Sequence, residues 1–580
     1  MRKLLATAAA IAPLLVATGV QAEVVVSTTR TTPIQTSNAT GTAADNIRFA
    51  SGGGTNLTSG TAVTVDSSNT LTIDGGAAVN IQTAADNSVA VLVNGGTSTT
   101  ILINGQVLVS DTLTTYPDTD SDGDVDGPWA VGTNRYGVRL AGAGAVTGNV
   151  TIGSSGVVQV EGNNSIGLAV DTNLIGNLNS YGTITAVGDN SVAVRTTAPI
   201  TGSVTVDGTV TSNGGNSSAA AILGDVSGRL TLQGAMTSSG YRYNQQGTDA
   251  FIKTLDPDDL LQTASTVIVG ANVGGGVVFD TAPADKDTAN TDEDGDGRVD
   301  TTEGTASITA YGAAPAVTVG SATRSVTLGV AGTGDNAYGF INRGSIVGNG
   351  VYDGVSSNGV LFGVAGGQAV NVAGGILNTG TMAVLSSEAD ATTVHLAAGA
   401  STPILRNDGF ITAASATSLA STVNAIRIDA GASLPSFTNN GSLLATSGGG
   451  TANVTALVDL SGTLTNVLNT GSFQASLVAN EAGDPLKGST VAMDLRANTT
   501  GVTVTQTGIL SDTTSTLVDT DNDGVDDVDE PSLVGNVLLG SGADTVNLQN
   551  GIMLGDIAFG VGADNLNITG GGYVRGALSD

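Results

Sequence analysis

This sequence predicts an all-β chain, a right-handed parallel β-helix with acidic loop insertions, and three observations carry that prediction. Glycines recur at one constant step in three registers: Gly156, Gly182, Gly208 and Gly234; Gly162, Gly188, Gly214 and Gly240; Gly176, Gly202 and Gly228. Between them apolar residues alternate in short runs. Leu178 with Ser180, Val204 with Val206 and Leu230 with Leu232 form one set, Ile184, Val210 and Met236 a second, Ile166 with Leu168 and Val192 with Val194 a third. Short alternating runs are the strand signal, and a glycine at each break admits the positive φ of a sharp corner. Three strands and three corners within one step, such as that from Gly156 to Gly182, describe one coil, whose apolar face only stacked neighbours can cover. Composition is the third observation: the 580 residues include 83 Gly, 12 Pro and 3% aromatics, with no break that divides the chain into globular domains. Val, Ala, Leu and Ile suit a narrow bore, while Thr, Ser and Asn suit exposed strand faces, ladders and turns. A mean hydropathy of +0.19 and the strict registers count against disorder.

The elements follow in order. Arg2 and Lys3, the apolar run Leu4 to Val20 and the small-residue site Val20-Gln21-Ala22 read as a secretory signal peptide over 1–22. No later apolar run reaches the length of a membrane helix. Residues 23–62 read as an N-terminal cap and first strands, and 63–110 as coils. Within those coils Asp86-Asn-Ser-Val-Ala-Val91 repeats Asp189-Asn-Ser-Val-Ala-Val194 letter for letter. An acidic insertion occupies 111–135, and coils of the constant glycine step fill 136–240. A long excursion over 241–305 holds a short helix from about Pro257 to Thr263, capped by Asp256. Coils return over 306–510, and a third acidic loop spans 511–531. The segment 532–580 carries shorter coils, each one step from Gly540 to Gly560, in which Gly540-Ser-Gly-Ala-Asp544 matches Gly560-Val-Gly-Ala-Asp564. About 20 coils at the ~4.8 Å strand spacing make a rod on the order of 100 Å long.

There is no cysteine, so disulfide and thiol chemistry are excluded. The formal charge of −32, from 51 acidic and 19 basic residues, excludes nucleic acid and favours cations. Three stretches concentrate five, six and seven of those 51 acids. In the D-x-D-x-D-G spacing, alternate carboxylates converge on one centre, glycine makes the turn, and a carbonyl and a later carboxylate close the shell around calcium. The middle stretch offers Asp292, Asp294, Asp296, the carbonyl of Arg298, Asp300 and Glu303, an EF-hand-like set. The last offers Asp519, Asp521, Asp523, the carbonyl of Val525, Asp527 and Glu530; with Asp526 in place of an aliphatic residue, it reads equally as a thrombospondin type 3 loop. The first offers Asp118, Asp120, Asp122, Asp124 and Asp126, but has Trp129 where the closing acid belongs, so it binds more weakly or borrows an oxygen. The bland alternative is a solvated acidic loop. No paired amphipathic helices flank the loops, so bound calcium would be structural.

A signal peptide, a Gly/Ser/Thr/Asn-rich β-helix and the tracts Leu539-Gly-Ser-Gly-Ala-Asp544 and Phe559-Gly-Val-Gly-Ala-Asp564 resemble the passenger region of bacterial autotransporters (type V secretion) of the alphaproteobacterial type. That resemblance implies export, a cell-surface, outer-membrane-associated or extracellular location, and a C-terminal outer-membrane barrel as partner; no stretch here reads as that barrel. The same tracts are similar to RTX turns, but occur once per coil and not in tandem.

An enzyme reading finds little support. His395 is the single histidine and occupies a strand position, no G-x-S-x-G elbow exists, and the aromatics look scattered, with only Tyr241 and Tyr243 close together. Acids outside the three loops, such as Asp189, Asp225 and Asp335, read as turn formers. The sequence therefore points to a non-enzymatic, adhesin-like or structural rod that contacts a surface receptor, a polysaccharide or its own copies. A polysaccharide lyase or glycosidase using paired carboxylates and a calcium-dependent surface-layer or matrix protein are the alternatives.

Overall fold

The computed structural model describes residues 23–580 apart from 114, 285, 287–288, 294–297, 417–419, 480, 511–516 and 521, so the leader expected over 1–22 lies outside the described residues. The chain winds into a parallel β-helix whose three faces each contain 17 strands. The first face runs from Glu23–Val26 to Asn565–Ile568, the second from Thr29–Arg30 to Tyr573–Arg575, and the third from Ile34–Gln35 to Leu578–Ser579. The constant glycine step is the coil-to-coil register: Val204 pairs with Leu178 and Leu230, Val210 with Ile184 and Met236, and Val194 with Leu168 and Ala220. Alternate side chains point into the bore, and one continuous apolar core extends from Val26 to Phe559. Seventeen coils at ~4.8 Å give a rod of about 80 Å. That is shorter than the sequence-based figure, because the insertions use chain without adding coils.

The glycine registers have two physical origins. Gly188 and Gly214 take φ of +135°, where a side chain is strained. Gly208 is required by crowding instead: a Cβ there would lie 1.8 Å from the Gly182 carbonyl oxygen of the coil beneath. At the corner between the second and third faces, Asn87, Asn164, Asn190 and Asn216 adopt φ of 53° to 63°, the left-handed region that Asn tolerates. This explains the repeated Asp-Asn-Ser-Val-Ala-Val hexapeptide.

A ladder of side-chain amides fills the end of the first face. Asn342 Nδ2 donates to Asn378 Oδ1 (2.7 Å), Asn378 to Asn407 (2.8 Å), Asn407 to Asn439 (2.8 Å), Asn439 to Asn469 (2.9 Å), and Asn469 to Gln506 Oε1 (3.2 Å). All six residues have no solvent exposure. The same register earlier in the chain holds Val206, Leu232 and Phe279, so Asn342 begins the ladder and its Oδ1 has no partner.

Insertions leave the rod at its corners. The first acidic insertion and residues 241–266 emerge between the second and third faces, whereas the other two acidic loops emerge between the first and second. The stretch 241–305, read from the sequence as one excursion, is two: Val267–Val269 and Val277–Phe279 continue the third and first faces. The helix expected from Pro257 to Thr263 is also displaced. Helix α1 covers Asp249–Ile252 with Thr248 as its N-cap. Around Pro257 the Asp259 carboxylate accepts from Asp256 N–H, and Leu260 bridges to Tyr241 in antiparallel fashion, which holds the segment as a turn. Tertiary pairing overrides the local helix signal. Among the described residues no helix is long and apolar enough to cross a membrane.

Candidate functional site

The first and third acidic loops share one backbone frame, and the second shares its closing hydrogen bonds. In the first, Asp118 accepts from Ser121 N–H (2.6 Å) and Gly123 N–H (3.2 Å), while Asp126 accepts from Thr119 and donates its own N–H to Pro117 O (2.7 Å). The third repeats this residue for residue. Asp519 accepts from Asn522 N–H (2.7 Å) and Gly524 N–H (3.1 Å), Asp527 accepts from Thr520 N–H (2.8 Å), and Asp527 N–H reaches Val518 O (2.8 Å). Ser121 and Asn522 both take positive φ, 67° and 60°. In the second loop Asp300 accepts from Glu293 N–H (3.0 Å) and donates to Thr291 O (2.9 Å). The D-x-D-x-D-G spacing therefore encodes a fixed turn closed by the ninth residue.

The first loop brings Asp118, Asp120 and Asp126 together, with one oxygen of each within 4.8 Å of the others. The Asp122 carboxylate instead accepts from Asp124 N–H at 3.4 Å. Desolvation and then the neighbouring Asp122 charge raise the Asp120 pKa, whereas the Thr119 hydroxyl and N–H lower that of Asp126. In the third loop the Thr520 hydroxyl and N–H lower Asp527 likewise. Such oxygen clusters fit a hard cation. Asp294, Asp296 and Asp521 lie outside the described residues. Of the expected closing acids, Glu303 accepts from Gln233 Nε2 of the rod at 2.8 Å, and Glu530 lines a groove with Asp408, Phe410, Leu510 and Val528. Trp129, at the corresponding place in the first loop, donates from Nε1 to Gly240 O at 3.3 Å.

The seventh residue of each loop is buried, against the body in the second and third loops and against the long insertion in the first. The Arg298 guanidinium pairs with Asp207, whose side chain is fully buried, and lies 4.2 Å from the Tyr181 ring centroid. Val525 is 2% exposed and packs on Gly508, while Asp523 beside it accepts from Asn550 of the next coil. The Asp124 carboxylate faces Asp259 of the long insertion and also neighbours Asp122 of its own loop. At the root of the first insertion Asp111 accepts from Val131 (2.6 Å), Gly132 (3.2 Å) and Thr112 N–H (2.7 Å) and pairs with Arg135 at 3.2 Å. Burial alone would raise the Asp111 pKa; those backbone donors and Arg135 outweigh it and hold it low.

Comparison with protein-family models, curated proteins and solved structures finds no match for this chain.

Several other residues singled out in the sequence have structural partners. His395 Nε2 lies 2.7 Å from Asp429 Oδ2, and Arg427 Nε donates to the other oxygen at 2.7 Å. In the C-terminal tracts Asp564 accepts from Asp544 N–H at 2.8 Å and Asp544 from Val502 N–H at 2.7 Å, so these acids tie successive coils together. The aromatics, scattered in sequence, converge in space on the first two insertions. Arg242 lies 4.5 Å from the Tyr116 ring and 4.9 Å from that of Trp129, Tyr241 meets Tyr352 edge-on at 4.9 Å, and Tyr243 meets Phe251 likewise. Tyr116 and Trp129, with Gln82, Thr83, Ser110 and Glu161, line a cavity of about 460 Å³. Long separations in the chain hid this cluster, and only the single Trp beside an acidic loop marked it in the sequence.

Proposed function

We propose that this chain is a calcium-stabilised β-helical rod of the autotransporter-passenger kind, exported to the cell surface or beyond, and acting by contact as an adhesin-like or structural element. The observation that carries the reading is the shared loop frame. Three insertions at different points of one rod repeat the same carboxylate-closed turn, and each buries its seventh side chain, Arg298 and Val525 against the body and Asp124 against the long insertion. A set of loops held this way presents fixed surfaces beside a rigid shaft. The net charge of −32 makes the shaft self-repelling until cations bind. Calcium held by Asp118, Asp120 and Asp126, and by the equivalent residues of the other loops, would fix those surfaces.

Isothermal titration of the chain from Glu23 onward tests the calcium arm. Binding should weaken in Asp118→Asn and Asp519→Asn, and heats equal to buffer dilution would overturn it. The contact arm is tested by deleting the gene. Attachment or cell-cell aggregation should fall in a calcium-dependent way while polysaccharide turnover is unchanged; loss of turnover with intact attachment would favour the lyase or glycosidase instead.

A further inference from the structure

A second acidic site lies behind the first loop, where that loop packs on the long insertion. Asp124 is 2% exposed, and neither of its carboxylate oxygens has a hydrogen-bond partner. Asp259, facing it, is fully buried; its Oδ2 accepts from Asp256 N–H at 3.1 Å, and its Oδ1 has no hydrogen bond. Among the described residues, the one cation paired with either acid is Arg242, with Nε 3.4 Å from Asp259 Oδ1. Arg242 is largely committed elsewhere: Nη2 donates to Gly127 O, and the guanidinium lies over Tyr116 and Trp129. Asp258, 3.8 Å from Arg242, accepts from Gly127 N–H at 2.8 Å and adds a second carboxylate to the same guanidinium.

Buried carboxylates without compensation cost several kcal/mol each, so a proton or a cation has to enter. Counting acceptors distinguishes the two. One shared proton satisfies one oxygen of Asp124 and one of Asp259 and leaves the other Asp124 oxygen buried and bare; a divalent cation takes all three.

We propose that Asp124 and Asp259 form a buried divalent-cation site that clamps the first acidic insertion to the long insertion, separate from the Asp118, Asp120 and Asp126 cluster. The clamp stands beyond the loop-calcium reading, because its ligands come from two insertions and both are buried. The two sites meet at one residue: Asp124 is seventh in its loop, where the carbonyl serves the loop ion while the side chain serves the clamp.

The test uses the chain from Glu23 onward, with calcium and with terbium as a luminescent substitute. Trp129 is the only tryptophan and stacks on the arginine that touches Asp259, so excitation of tryptophan reports this region alone. In an Asp118→Asn/Asp120→Asn background, tryptophan-sensitised terbium emission should persist, and adding Asp259→Asn should abolish it. Calorimetry should show Asp259→Asn binding one calcium fewer than the parent, with an unchanged circular dichroism spectrum. Equal stoichiometry in parent and Asp259→Asn, or emission that survives Asp259→Asn in that background, would overturn the clamp. Should Asp118→Asn leave binding intact while Asp259→Asn removes one ion, the loop reading fails and the clamp stands. Should Asp259→Asn misfold, Asp124→Asn/Asp259→Asn supplies an amide pair that can bond to itself, and it should fold while lacking the ion.

Discussion

Replacing Asn407 by leucine should break the rod at its most ordered internal feature. Asn407 Nδ2 donates to Asn439 Oδ1 and, at 3.1 Å, to Ser442 O, while its Oδ1 accepts from Asn378 Nδ2. Leucine fills the space but ends all three bonds. It strands Asn439 Oδ1 without its ladder donor and leaves Asn378 Nδ2 with only backbone acceptors. At about 1 kcal/mol per net hydrogen bond and 1–3 kcal/mol for a stranded buried group, the loss is about 4–6 kcal/mol. Asn342→Leu is the control. Asn342 Oδ1 already lacks a partner, and the coil before it carries Phe279 in this register. Leucine there ends the Nδ2 bonds to Asn378 Oδ1 and Thr381 O but only moves the unpartnered oxygen by one coil, and should cost about 2–3 kcal/mol. A solenoid need not unfold in two states, so the assay is hydrogen exchange resolved by mass spectrometry over Ile404–Asn407 and Ser436–Asn439, compared with Phe340–Asn342. Equal effects of the two variants, or a neutral Asn407→Leu, would refute the view that mid-ladder amides are held by mutual satisfaction.

Two further outcomes follow from buried geometry. Gly208→Ala should destabilise by about 3 kcal/mol despite an ordinary φ, because its Cβ would overlap the Gly182 carbonyl, a stacked backbone with no room to shift; thermal unfolding would read it. Asp111→Ala should cost about 3–5 kcal/mol by leaving Arg135, 2% exposed, unpaired. Because the folded pKa of Asp111 lies below its unfolded value, its contribution is complete above about pH 4. That contribution should fade as pH falls through the folded value, so acid unfolding of the Asp111→Ala variant should be shallower than the parent's.

The coil register was legible because it is written twice, in spacing and in residue type. Leu178, Val204 and Leu230 pair directly across successive coils, and both copies of the hexapeptide place their asparagine at the same left-handed corner. The amide ladder was not read, although Asn-x-Gly recurs at Asn342, Asn378, Asn407, Asn439 and Asn469. Its steps vary between 29 and 37 residues, so no fixed period reveals it. The strands at Val267 and Val277 were lost inside an apparent excursion for a similar reason: three apolar residues between long insertions carry too little alternation to declare a face. At the candidate sites, spacing named Asp118, Asp120 and Asp126, and the fold assembled them. Asp259 was beyond reach, because its role depends on the packing of two insertions that lie far apart in the chain.

The seventh residues turn one loop chemistry into three different couplings. Val525 is held by apolar burial, which neither salt nor chelation weakens directly. Arg298 is held by a buried pair with Asp207, which salt screens little. Asp124 faces another buried carboxylate, and its anchor is repulsive until an ion or proton enters. On the proposed reading, chelation at pH 8 should therefore release the loops in order. The first insertion, over 111–135, should lose exchange protection well before the segment around Asp300, and the segment around Val525 should hold longest. Simultaneous release of all three would mean that the loop ions alone govern order and the anchors contribute nothing separable. Release of the Val525 segment first would mean that a valine packed on Gly508 holds less firmly than a bare carboxylate pair, which the physical argument forbids.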